Sequence, residues 1–142
     1  MNTHKPRSRQ VSALIIILGL IALTVALHYS PDRRRQRAAQ ALPLGADSGT
    51  VLRTLGPRPT RCPPGAMEHL RGELGGIDEA DADSVMGRLR RETRQRWLYP
   101  GKRGCTPQKG ETELGIGAAG RVPWIQPAAG KSGVRLSPRI SD

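Results

Sequence analysis

Residues 11–27 read VSALIIILGLIALTVAL, and this uncharged run decides how the rest of the chain is organised. At about 1.5 Å of rise per residue, a helix of this length spans roughly 25 Å, the short end of what crosses the apolar core of a bilayer. His28 and Tyr29 extend the run into the headgroup zone, where tyrosine is favoured. A buried helix of a soluble domain would show a polar face, and this run shows none. The sequence therefore predicts a transmembrane anchor over residues 11–29, after a basic N-terminal segment over residues 1–10.

A cleavable signal peptide is the alternative interpretation of this region. Lys5, Arg7 and Arg9 precede the apolar run, as in the basic start of a signal peptide. The first small-x-small cleavage site, AQA at 39–41, lies beyond the cationic block RRRQR at 33–37. Cations between the apolar region and the cleavage site oppose processing, so we expect an uncleaved, single-pass anchor. Because cations flank both ends of the run, the positive-inside rule does not decide its orientation.

The chain has 142 residues and carries 23 Lys plus Arg against 12 Asp plus Glu, a formal charge of +11. A field of this sign favours anionic partners, namely lipid headgroups, other acidic envelope polymers or nucleic acid, without choosing among them. A high-GC genome that uses arginine for any solvated cation would produce the same excess.

Beyond the anchor, residues 30–43 read as a basic linker and residues 44–126 as a small folded domain. A short helix is predicted where Val51, Leu52 and Leu55 share one side, and a weaker one within residues 66–76. The clearest helix follows Asp78, whose first turn is acidic and whose C-terminal part is rich in arginine, both favourable for the helix dipole.

Three strands are predicted after this helix: RWLY at 96–99, GETELGIG at 110–117 and RVPWIQ at 121–126. The remaining residues, 127–142, are small, polar and basic, and we expect a disordered tail. The predicted fold class is α+β, with two or three helices packed on a three-stranded antiparallel sheet. The predicted core comprises Val51, Leu52, Leu55, Val85, Met86, Leu89, Trp97, Leu98, Ile116, Val122 and Trp124.

Cys62 and Cys105 are the only cysteines, and each stands beside turn residues. A disulfide between them would join the helical half of the domain to the sheet half, and a loop of this length would contribute roughly 4 kcal/mol. A disulfide requires an oxidising compartment, which for a bacterial membrane protein is the periplasm. The alternative is a pair of unrelated reduced thiols in a cytoplasmic domain.

Gly115, Gly117 and Gly120 have the G-x-G-x-x-G spacing of a dinucleotide-binding turn. That turn must open a helix, and Pro123 and Pro127 follow too closely to allow one. We interpret these glycines as a hairpin turn.

No other motif indicates chemistry. The two cysteines and His69 fall short of a four-ligand metal site, and no Ser/His/Asp or Cys/His arrangement is evident. We therefore expect no catalytic, cofactor-binding or metal-binding residues, and a protein that is not an enzyme. Four arginines are the candidate contacts to an anionic partner: Arg88, Arg91, Arg94 and Arg96.

Three segments, in order, resemble the SmpA/OmlA (BamE-like) family of small envelope domains. Residues 44–57, which end in Leu55-Gly56-Pro57, resemble its opening helix, and residues 96–99 resemble its W-x-Y strand. Residues 113–122 resemble its closing hairpin, in which a Gly-x-Val turn links the last two strands. The chain departs from the family in having a spanning helix instead of a lipid-modified cysteine, and a long insertion before the W-x-Y strand. The resemblance implies a small α+β domain that supports an envelope assembly through protein contacts.

These observations together predict a single-pass protein of the bacterial inner membrane with its C-terminal domain in the periplasm. The expected function is a binding or scaffolding module with a protein partner, with anionic headgroups as a second partner class and nucleic acid disfavoured. The alternative is a membrane-tethered cytoplasmic domain whose arginines bind nucleic acid or anionic lipid.

The state of the two thiols tests the compartment. We expect Cys62 and Cys105 to resist alkylation in intact cells and to become reactive only after reduction, because a disulfide has no nucleophilic thiolate. Mass spectrometry of the purified full chain measures this. Two alkylated thiols in unreduced samples would contradict the periplasmic placement.

Overall fold

A computed structural model describes residues 7–65, 67–101 and 104–138. The chain divides into two compact units, residues 1–34 and residues 35–142. The first unit carries the apolar helix, and the second carries the sheet.

Helix α1 (Arg7–His28) dominates the first unit. Its segment Val11–His28 has a mean hydropathy of 2.5, and this is the one helix among the described residues that is long and apolar enough to cross a membrane. The hydroxyl of Thr24 donates to the carbonyls of Leu20 and Ile21, at 2.9 and 2.8 Å. This internal bonding satisfies a polar group that a bilayer core would leave without water.

The second unit is built on a five-stranded antiparallel sheet in which the strands lie in chain order. The strands are β1 (Thr60–Cys62), β2 (Gln95–Tyr99), β3 (Thr112–Ile116), β4 (Trp124–Gln126) and β5 (Arg135–Leu136). The remaining helices are α2 (Pro31–Ala41), α3 (Ser48–Leu55), a 3₁₀ helix (Glu68–Glu73) and α4 (Glu79–Glu92).

The strand register assigns side chains to two faces of the sheet. Trp97 lies opposite Leu114, which lies opposite Ile125, so these three share one face. That face packs against Val51 and Leu55 of α3 and against Ala39 near the end of α2. The opposite face carries Trp124 and packs against α4 and the 3₁₀ helix, through Met67, Leu70, Leu74, Ala82, Met86 and Leu89. The second unit therefore has helices on both faces of the sheet.

The ends of α3 are fixed by specific hydrogen bonds. Asp47 is the N-cap, and its carboxylate accepts from the backbone N–H and the hydroxyl of Thr50 at 2.9 and 2.7 Å. These bonds to Thr50 lower the pKa of Asp47 below its usual value. At the other end, Tyr99 donates its hydroxyl to the carbonyl of Gly56 at 2.9 Å, and burial raises the pKa of Tyr99 to about 12. The phenol thus remains a donor that ties β2 to α3.

The predicted fold class is confirmed as α+β, but the prediction of three strands is wrong because the sheet has five. The two strands that the sequence did not reveal are β1, which has three residues, and β5, which has two. β1 reads TRC and β5 reads RL, so neither shows a hydrophobic alternation, and only their pairing with β2 and β4 defines them.

The tail also differs from its prediction of disorder. Ala128 and Ala129 are buried, and Arg135 of β5 donates to the carbonyls of Gln40 and Leu42 at 2.6 and 3.1 Å. Residues 139–142 lie outside the described residues. The segment predicted as a linker, 30–43, contains α2, and its Ala39 and Leu42 are buried.

The predicted core agrees closely with the structure. Nine of the eleven residues are buried, and Leu52 and Val85 are partly buried beside the two core clusters. The predicted helix within residues 66–76 is the 3₁₀ helix Glu68–Glu73.

Gly115 in β3 shows how tightly the sheet packs. A Cβ on this residue would lie 2.2 Å from Nε1 of Trp124, so the indole ring crosses directly over the glycine. The same Nε1 donates to the hydroxyl of Thr93 at 2.8 Å, which holds the ring in place. An alanine here would have to displace a buried ring and its hydrogen bond.

We expect Gly115→Ala to lower the free energy of unfolding by about 2–3 kcal/mol, because overpacking forces the Trp124 ring out of its site. Urea unfolding of the full chain in micelles, followed by tryptophan fluorescence, measures the loss. Gly72→Ala is the matched control, since nothing lies within 4 Å of a Cβ at Gly72. Equal effects of the two substitutions would contradict the packing described for Trp124.

Candidate functional site

A groove of about 420 Å³ lies between the C-terminal part of α4 and the turn that joins β3 to β4. We call it the Arg groove, because four arginines contribute to its lining. Its full lining comprises Gly45, Arg88, Arg91, Glu92, Arg94, Gly117, Ala118, Ala119, Arg121, Val122, Pro123, Ser137 and Pro138.

Two of the four arginines are committed to the fold. Arg88 donates to Glu92 Oε1 at 2.8 Å and to the carbonyl of Ser137 at 2.6 Å, so it links α4 to the segment after β5. Arg121 donates to the carbonyl of Gly45 at 3.2 Å. Their charges add to the positive potential of the groove, while these hydrogen bonds fix their side chains to the domain.

Arg91 and Arg94 differ from this pair. Both are exposed, and neither guanidinium group forms a hydrogen bond or ion pair with the described part of the chain. A guanidinium group offers five N–H donors in a planar fork that matches carboxylates and phosphates. These two side chains therefore have all of their donors available to a ligand.

The floor of the groove is the tight turn after β3. Gly117 donates its N–H to the carbonyl of Arg121 at 2.8 Å, and Gly120 donates to Gly117 at 3.0 Å. Gly120 has φ of 69°, which favours glycine. No helix follows this turn, since β4 begins at Trp124. The interpretation of these glycines as a hairpin turn is confirmed.

The groove combines positive charge with an apolar surface. Glu92 is the one acidic residue in its lining, and it is bonded to Arg88. Ala118 and Ala119 are exposed, and Pro123 is partly exposed beside them. Such a surface can pair with anionic groups through its arginines and with apolar side chains through its floor.

Arg96 lies elsewhere, and its prediction as a contact to an anionic partner is corrected. It is 4% exposed on β2, and its Nη1 donates to Glu113 Oε1 at 2.5 Å. Its other nitrogens donate to the carbonyls of Pro63 and Cys105, at 3.1 and 3.2 Å. All three of these hydrogen bonds of the Arg96 guanidinium group therefore go to partners within the domain.

Glu113 is completely buried between two basic groups. Its Oε1 accepts from Arg96, and its Oε2 lies 2.6 Å from His69 Nε2, on the 3₁₀ helix. A buried carboxylate is costly unless it is paired and hydrogen-bonded, and here both oxygens have partners. This cluster of Arg96, Glu113 and His69 therefore holds β2, β3 and the 3₁₀ helix together.

The predicted pairing of the cysteines is confirmed. Cys62 and Cys105 lie at a disulfide distance, with an S–S separation of 2.08 Å and a Cα–Cα separation of 5.6 Å. The bond connects β1 to the segment after β2. Because Arg96 donates to the carbonyls of Pro63 and Cys105, its guanidinium group is bonded at both ends of the disulfide.

The sequence reasoning placed Arg88, Arg91 and Arg94 together correctly but missed Arg121. Arg121 follows a glycine turn, where a cation is usually a solvated surface residue. Its sequence position therefore did not indicate that it belongs to the groove. Within the described residues, no group of three or more His, Cys, Asp and Glu side chains could hold a metal ion.

Comparisons with known proteins add no family to this description. No family model, no curated protein and no solved structure matches the chain.

The contribution of the buried ion pair to the stability of the domain can be tested. We expect Glu113→Gln to lower the free energy of unfolding by about 3 kcal/mol at pH 7, because it leaves the charge of Arg96 buried without a counter-charge. Glu68→Gln is the matched control. It breaks the ion pair between Glu68 and Arg90, whose side chains are 61% and 53% exposed, respectively. An exposed pair contributes less than about 1 kcal/mol. Urea unfolding measures both, and similar losses would contradict the structural role of Glu113.

Proposed function

We propose that the chain is a single-pass protein of the bacterial inner membrane whose periplasmic domain is a non-enzymatic binding module. In this proposal the Arg groove receives an acidic segment of a protein partner within an envelope assembly. The observation that carries the proposal is the presence of two exposed arginines with unused donors, Arg91 and Arg94, beside an apolar floor.

Two observations support the membrane and compartment parts of the proposal. Segment Val11–His28 has the length and hydropathy of a spanning helix. The Cys62–Cys105 bond is typical of an oxidising compartment, and its position beside the Arg96 cluster makes it part of the fold. A disulfide that forms part of the fold in this way supports a periplasmic location for the second unit.

The composition of the groove favours a protein segment as its occupant. Nucleic acid and lipid headgroups present phosphates, which need cations and no apolar floor. A peptide presents carboxylates together with apolar side chains, and the groove offers arginines together with Ala118, Ala119 and Pro123. A volume of about 420 Å³ accommodates a few side chains. The resemblance to SmpA/OmlA domains agrees with a role through protein contacts.

The groove has one test in intact cells and one in solution. A photo-reactive amino acid in place of Ala119 should crosslink to one protein of defined mass, identified by mass spectrometry. The double variant Arg91→Gln with Arg94→Gln should reduce this adduct at least about tenfold, because two charge-assisted hydrogen bonds are lost.

The matched control is Arg71→Gln with Arg90→Gln, which removes the same charge from arginines that pair with Asp83 and Glu68 outside the groove. This control should leave the adduct unchanged. An adduct that contains nucleic acid or lipid, or equal losses in the two double variants, would contradict the proposal.

In solution, binding of the identified partner should weaken only modestly between low and physiological salt, because apolar contact persists when charges are screened. A steep loss of affinity with salt would instead indicate phosphate binding. Isothermal titration at several salt concentrations distinguishes these outcomes.

A further inference from the structure

The surface at the N-terminal end of α4 is opposite in charge to the Arg groove. No lysine or arginine occurs in residues 72–87, and five of the twelve acidic residues of the chain lie there. Two of these acids, Glu79 and Asp83, are paired with Arg71. A chain with a formal charge of +11 therefore carries a local anionic surface.

Asp78 and Asp81 have carboxylates that the domain does not use. Both residues are exposed, and neither carboxylate forms a hydrogen bond or ion pair with the described part of the chain. The preceding residue, Ile77, is 41% exposed, and outside α1 and Tyr29 it is the one large hydrophobic side chain that is exposed among the described residues. We call residues 77–81 the acidic segment. It presents unpaired carboxylates beside an exposed apolar side chain.

The acidic segment is complementary to the Arg groove. The groove offers the unpaired guanidinium groups of Arg91 and Arg94 beside the apolar residues Ala118 and Ala119. A guanidinium group binds a carboxylate through charge-assisted hydrogen bonds, and an apolar floor removes an apolar side chain from water. The two surfaces therefore match in charge and in apolar character.

The acidic segment and the groove of one copy cannot meet each other. They lie at opposite ends of α4, and a helix of 14 residues is about 20 Å long. Contact therefore requires a second copy of the chain, whose acidic segment reaches the groove of the first.

The outer face of α4 permits such a contact. Ala80, Ser84 and Gly87 follow one another at spacings of four and three residues, so they lie on one side of the helix, and Arg91 continues the same row. Ala80 and Ser84 are exposed, and Gly87 is partly exposed. Because these side chains are small, another helix can approach this face closely, and Arg91 joins the face to the groove.

Antiparallel pairing of two α4 helices brings the complementary ends together. A twofold axis that passes between Ser84 and Gly87 places Asp78 of one copy level with residue 93 of the other, between Arg91 and Arg94. The same axis repeats the contact at the other end, because in a twofold interface each surface meets its counterpart in both directions. One dimer therefore contains the contact twice.

We propose that the Arg groove is occupied by the acidic segment of a second copy, in a twofold dimer whose α4 helices pair antiparallel. This proposal rests on the function proposed for the groove and names the chain itself as the partner. Asp78 and Asp81 of one copy bind Arg91 and Arg94 of the other, and Ile77 lies against the apolar floor. The net positive charge of the two copies opposes this contact weakly, because salt at physiological concentration screens charges beyond about 8 Å.

Charge reversal on the full chain in micelles tests the dimer. One variant, Arg91→Glu with Arg94→Glu, reverses the groove, and another, Asp78→Arg with Asp81→Arg, reverses the acidic segment. Each variant alone should dimerise at least about a hundredfold more weakly than the unmodified chain, because like charges then face each other at both contacts. An equimolar mixture should form a one-to-one heterodimer, because each groove then faces an acidic or reversed segment of opposite charge. Sedimentation velocity measures the association, and circular dichroism measures the folding of each variant.

Arg53→Glu with Arg58→Glu is the matched control for net charge. It changes the charge by the same amount as the groove variant, at exposed arginines in and after α3, which packs on the other face of the sheet from α4. This control should leave the dimer unchanged.

Two further variants keep the test informative if a reversed variant does not fold. Asp78→Asn with Asp81→Asn removes the carboxylates without adding cations and should weaken the dimer at least about tenfold. Gly87→Gln leaves the charge unchanged and places a longer side chain on the paired face. It should weaken the dimer by a similar factor and retain the helix, since glutamine favours helix more than glycine does.

The crosslink at position 119 separates this proposal from the function on which it rests. The dimer predicts an adduct with twice the mass of the chain. An adduct with a different protein, from a chain that is a monomer when purified, would overturn the dimer and leave the protein-binding groove in place. An adduct with lipid or nucleic acid would overturn both. A mixture of the two reversed variants that stays monomeric would also overturn the dimer, as would a control that dissociates as much as they do.

Discussion

The buried ion pair between Arg96 and Glu113 is the interaction on which the second unit depends. It joins β2 to β3 at the centre of the sheet, and Arg96 also bonds the chain at both ends of the disulfide. Glu113 in turn binds His69, which fixes the 3₁₀ helix on the same face. Two charges removed from water must be paired almost completely, so this cluster allows few alternative arrangements of the elements that supply it.

None of the three residues of this cluster lines the Arg groove. The Arg groove lies where α4 ends and the β3–β4 turn begins, and its arginines reach solvent.

The polar centre of the second unit is tolerated because its charges are paired and hydrogen-bonded. Helices cover both faces of the sheet, and every residue of β3 and β4 is buried. A small domain gains from covalent restraint, and the Cys62–Cys105 bond supplies it beside the ion pair. The core therefore combines apolar packing around Trp97 and Trp124 with a paired and crosslinked polar centre.

The sequence by itself determined the apolar helix, the pairing of two lone cysteines, the α+β class and most of the core. These features rest on local signals, namely a long uncharged run, the count of cysteines and hydrophobic periodicity. It could not reveal β1 and β5, because TRC and RL carry no hydrophobic alternation and these strands are defined by their pairing with β2 and β4.

Only the tertiary structure decided the role of each arginine. The sequence predicted Arg96 in a strand and as a contact to an anionic partner, together with Arg91 and Arg94. In the structure α4 ends at Glu92 and the chain enters β2, where Arg96 lies on the sheet face that carries Glu113 and is buried against it. Residues of one type and of close sequence position thus have opposite environments, because burial is set by which elements pack together and no local pattern records that packing.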